Sequence, residues 1–61
     1  MKQTECPYPK GTGLRRHWND GWNWFVAGKA RATPPEGFTE GAEAARAFQK
    51  KHGKVETRED Y

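Results

Sequence analysis

Large apolar side chains crowd one stretch of this chain and then thin out. Leu14, Trp18, Trp22, Trp24, Phe25 and Val26 fall within thirteen positions, and all three tryptophans lie in the run HWNDGWNW. Downstream, Gly41, Ala44, Ala45 and Phe48 make a narrow stripe with one large side chain. The first cluster is interrupted by Asn19-Asp20-Gly21, a strong short-range turn signal between aromatic segments. It predicts strands over residues 14–18 and 22–27, with Gly28 turning into a third over 29–33. Pro34 and Pro35 end that strand, because neither can donate to a ladder. The second cluster predicts a helix over 39–52, with Thr39 as N-cap, Glu40 and Glu43 near the positive end, and Lys50, Lys51 and His52 near the negative end. Gly53 fits the left-handed residue that closes such a helix. The expected fold is therefore α+β: a small antiparallel sheet of two to three strands packed against one C-terminal α-helix.

Register decides which tryptophans face inward, since a one-residue slip exchanges the faces. A three-residue loop with Gly21 as a bulge pairs Trp18 with Trp22, Arg16 with Trp24 and Leu14 with Val26. That register gathers Leu14, Trp18, Trp22, Trp24 and Val26 as core. Arg15, His17, Asn23, Phe25 and Ala27 then form the opposite face, a mixture of cations, amide donors and one stacking ring.

Three pieces follow: an extended arm over 1–13, a ββ(β)α domain over 14–53, and a charged tail over 54–61. The arm, rich in proline and glycine, is ordered only if Tyr8 docks on the body. The tail is expected to be mobile or to add a short strand through Val55 and Thr57. With 61 residues and 33% hydrophobic content, the chain depends on its aromatics for a core. One cysteine, Cys6, excludes an internal disulfide framework and suits a reducing cytoplasmic setting. Its run CPYP is similar to the CPYC of dithiol glutaredoxins, but Pro9 stands where the second sulfur is needed. No apolar run is long enough to span a membrane.

Net charge is +3 with pI near 9.3. The excess belongs to the aromatic half, where Lys10, Arg15, Arg16, Lys29 and Arg31 face Asp20 alone. Such a balance favours a polyanionic partner.

The unit ending in GFTEGAEAARAF resembles the plant AP2-type DNA-binding domain through Gly37, Phe38, Thr39, Glu43, Ala44, Ala45, Ala47 and Phe48. Upstream, GLRRHWNDGWNWFVA is similar to that family's arginine-rich first strand and tryptophan-bearing second strand. The arm-binding domains of tyrosine integrases share the architecture. The resemblance covers roughly residues 13–50. It implies a sheet that enters the DNA major groove, with Arg15, Arg16, Trp24 and Arg31 facing the DNA. It also implies an exposed Trp24, whereas the register places that ring inward. The third strand, KARATPPEG, departs from the family pattern by its double proline.

Two functions follow. The first is a small DNA-binding module that contacts duplex DNA through Arg15, Arg16, His17, Trp24, Phe25, Lys29 and Arg31. The second is a compact protein-binding or inhibitory module of the phage or mobile-element type, using the same aromatic–cationic face. Neither enzyme, cofactor nor metal chemistry is expected. His17 and His52 lie on different elements, Cys6 lies in the arm, and the chain has no serine.

Overall fold

The computed structural model describes residues 3–61; the first two positions of the expected arm lie outside them. It is an all-α hairpin of α1 (Gly13–Val26) and α2 (Phe38–His52), flanked by extended segments on both sides. No strand occurs among the described residues, so the expected antiparallel sheet and its sheet-based recognition face are overturned.

The correction centres on Asn19-Asp20-Gly21, which lies inside α1 and not in a turn. Leu14, Trp18, Gly21, Trp22 and Phe25 recur at three- and four-residue intervals, the spacing of one helical face. Thr12 starts that helix: its hydroxyl accepts the Arg15 amide at 3.2 Å and donates to the Pro9 carbonyl at 2.8 Å. Asn, Asp and Gly are poor helix formers, so α1 depends on tertiary contacts. Both Asn19 and Gly21 are buried at those contacts. The helical period also separates the tryptophans. Trp18 and Trp22 enter the core, while Trp24 turns away to another side. Residues 29–33, expected as a third strand, belong to the loop between the helices.

The second helix begins one residue earlier than expected. Gly37, at φ +91°, occupies the N-cap position and its carbonyl accepts the Gly41 amide at 3.1 Å, leaving Thr39 exposed in the first turn. Its other end follows the sequence. Gly53 is left-handed at φ +86°, and its amide donates to the Gln49 carbonyl at 2.7 Å.

The core lies where the helices cross. Trp22 and Ala45 are fully buried, Trp18 and Phe38 nearly so. Trp18 and Trp22 stack with ring centroids 5.6 Å apart, and Phe48 closes on Trp22 at 5.8 Å. Burying one tryptophan of this kind contributes roughly 4–6 kcal/mol. Gly41 on α2 lets its backbone approach the α1 backbone at Trp18.

The flanking segments complete the fold without regular secondary structure. Tyr8 docks the arm on α2, its hydroxyl donating to Glu40 Oε2 at 2.9 Å. Residues 54–61 run along α1. The Trp22 indole donates to the Glu56 carbonyl at 2.7 Å. Asn23 accepts the Arg58 amide at 2.6 Å and donates to the Arg58 carbonyl at 2.9 Å. These two bonds reproduce what a neighbouring strand would give that residue.

Candidate functional site

Four of the seven residues expected to contact a partner come together in one groove. Trp24 and Phe25, from the last turn of α1, form one wall. Lys29 and Arg31 come from the loop, held against the helix end by the Lys29 amide, which donates to the Trp24 carbonyl at 2.8 Å. The other wall is α2, where Phe38, Ala42 and Arg46 recur every four residues and so stand in line along one side. The groove has a volume of about 340 Å³.

Its floor is aromatic and its rim is cationic. Trp24 meets Phe38 edge to face at 5.5 Å. The Arg31 guanidinium lies over both rings, 5.7 Å from the Trp24 centroid and 5.5 Å from that of Phe38. Stacking of this kind orients a guanidinium without neutralising it, leaving its N–H groups for an acceptor. Lys29, Arg31 and Arg46 are exposed around the opening, and Glu43 is the one acidic side chain that lines it.

The other three expected residues lie elsewhere. Arg15 is used within the fold. Its Nε donates to the Asp60 carbonyl at 2.9 Å, Nη1 to the Tyr8 carbonyl at 2.9 Å, and Nη2 to the Asp60 carboxylate at 3.0 Å. His17 Nδ1 stands 3.2 Å from the Glu36 carbonyl, tying α1 to the end of the loop. Arg16 is exposed on α1.

Around Arg15 lies a larger, more polar cavity of about 670 Å³, lined by Cys6, Thr57 and Arg58 among others. Its two guanidiniums already share one carboxylate: Arg58 Nη2 lies 2.9 Å from Asp60 Oδ2 and Arg15 Nη2 lies 3.0 Å from it. Burial pushes the Asp60 carboxyl up, but the hydrogen bond and charge of Arg58, a backbone hydrogen bond and the charge of Arg15 outweigh it and hold the group below its ordinary value. The cations of this cavity are paired within the molecule, whereas among the described residues no ion pair is found for Lys29, Arg31 and Arg46 around the groove.

Sequence reading missed the contribution of α2 to the groove. The spacing of Phe38, Ala42 and Arg46 was the available signal, a second line beside the small-residue stripe. Among the described residues, no group of three or more His, Cys, Asp or Glu is placed to hold a metal ion. Nor is any helix there long and apolar enough to cross a membrane. No protein-family model, curated protein or solved structure matches the chain.

Proposed function

We propose that the protein is a small, non-catalytic nucleic-acid-binding module whose contact surface is the groove between the end of α1 and the start of α2. The observation that carries this reading is the convergence of Lys29, Arg31 and Arg46 around the half-buried rings of Trp24 and Phe25. Phosphates meet the rim cations, and a base packs against the aromatic floor. With no sheet among the described residues to enter a major groove, recognition rests on charge and stacking. A lone thiol fits a reducing cytoplasmic setting.

The test is fluorescence anisotropy of labelled duplex and single-stranded DNA at two salt concentrations. Three phosphate contacts give a log–log salt slope of about −2 to −3. A Lys29→Ala, Arg46→Ala double variant that keeps its helical circular dichroism should lose most of that slope. Unchanged affinity and slope in the folded variant would refute the reading.

The apolar lining of the groove by Trp24, Phe25, Phe38 and Ala42 favours a second reading, a protein partner. An apolar groove ringed by cations with one carboxylate at its edge also suits an acidic, aromatic-bearing protein segment. Capture of such a peptide, with no binding of duplex or single-stranded DNA at either salt concentration, selects this alternative.

A further inference from the structure

Residues 54–61 are held like a bound peptide. The contacts that fix them come from α1 and the arm: Trp22 and Asn23 bond to the backbone of Glu56 and Arg58, while Gln3 Oε1 accepts the Glu56 amide at 3.2 Å. One side chain supplies the specificity. The Arg58 guanidinium lies over Trp18 and Trp22 at 4.9 and 5.0 Å from their centroids and donates to the Thr4 carbonyl. Arg58 is 6% exposed, the most enclosed residue of the segment. Two residues on, Asp60 meets Arg15, and Tyr61 donates to Asp20 at 2.6 Å.

The segment joins the rest of the molecule at Gly53, where φ is +86° and a Cβ would meet nothing within 4 Å. As a glycine, Gly53 reaches other φ/ψ combinations without the Cβ clash that restricts other residues, so it is the natural hinge of the segment. Fully extended, eight residues reach roughly 26–29 Å. That reach matches the 29 × 25 × 15 Å body, so a released segment extends to a neighbouring molecule.

We infer that residues 54–61 are a releasable strap, and that the channel formed by α1 and the arm accepts the same segment from a second copy of this chain. The second copy is the occupant because its segment carries the full set of matching groups: Arg58 for the tryptophan pair, Asp60 for Arg15 and Tyr61 for Asp20. Such exchange remakes each contact between molecules and costs only the hinge rearrangement and association. In the closed monomer the tethered strap competes at a high effective concentration, so exchange is seen most clearly when the internal contact is broken.

The experiment uses two full-length variants. Arg58→Ala leaves a channel with a defective strap, and Asn23→Ala leaves an intact strap with a defective channel. By sedimentation velocity, each alone should be monomeric, and an equimolar mixture should form a one-to-one dimer. A mixture that stays monomeric overturns the exchange, as does equal self-association of either variant alone. Wild-type hydrogen exchange provides the readout should either variant fail to fold. The Arg58 amide and Trp22 indole protons should exchange at least ~10-fold faster than the core amides of α1, through a local opening. Equal rates would show that the strap opens only with global unfolding and would overturn the inference.

Discussion

Gly21 and Gly41 each face the carbonyl of the residue three positions before the other. A Cβ on Gly21 would stand 1.8 Å from the Phe38 oxygen, and one on Gly41 would stand 1.8 Å from the Trp18 oxygen. The helices thus touch backbone to backbone, in a reciprocal arrangement that no side chain fits. Because the obstructing atoms are backbone, neither site can relax by a rotamer change. Gly21→Ala and Gly41→Ala should each cost on the order of 3 kcal/mol or more, against the gain of ~1 kcal/mol that alanine brings to an open helical position. Urea unfolding followed by circular dichroism measures this. Wild-type midpoints for both variants would show that the crossing is looser than described.

The same pair explains why the sequence misled. Asn19-Asp20-Gly21 carries a genuine local preference for a turn, and the aromatic residues around it favour strands. What reverses the preference is Gly21 meeting the backbone of α2, a contact that local pattern does not contain. The helical spacing from Leu14 to Phe25 was present but competed with the turn. In contrast, α2 was legible because its charges, stripe and Gly53 all agree. Trp24, Phe25, Lys29 and Arg31, grouped by residue type in the sequence, fall in one groove although no sheet forms among the described residues. Arg15 was grouped with them, but its engagement by Asp60 spans 45 positions and leaves no local trace.

Thr12 caps α1 with its hydroxyl, and the same hydroxyl ties back to Pro9. Thr12→Ala should lower stability by about 1 kcal/mol, and Thr12→Ser should restore most of it. Thermal unfolding monitored by ellipticity distinguishes the two. A neutral alanine variant would mean that solvent replaces the cap without loss.

The strap's outer end should set two pH limits. Asp60 is depressed below the ordinary aspartate value of about 3.9. Its contribution is therefore complete above that value and is lost as pH falls through the depressed one. Tyr61 is raised, first by burial and then by its hydrogen bond to Asp20. Its contribution is complete below the ordinary tyrosine value of about 10 and is lost as pH rises through the raised one. Tail resonances followed by NMR should hold constant between these limits. A transition near neutral pH in those signals would contradict the assignment.

Trp24 gives the sharpest test of the groove, because its ring serves both fold and ligand. It packs on Phe38 at 5.5 Å and lies under Arg31, yet remains half-buried, in contrast to Trp18 and Trp22. Trp24→Phe retains a ring against Phe38 and a face for stacking, whereas Trp24→Ala removes both. If a base packs there, Trp24→Ala should weaken oligonucleotide binding by about 1–3 kcal/mol, and Trp24→Phe by clearly less. Neither change should alter the salt slope, since no cation is lost. Both affinities are measurable by anisotropy once circular dichroism shows that the helices persist. An alanine variant that stays folded and binds like the wild type would remove Trp24 from the contact surface. Binding would then rest on the charges of Lys29, Arg31 and Arg46 alone, and the slope would be the only feature left to assign.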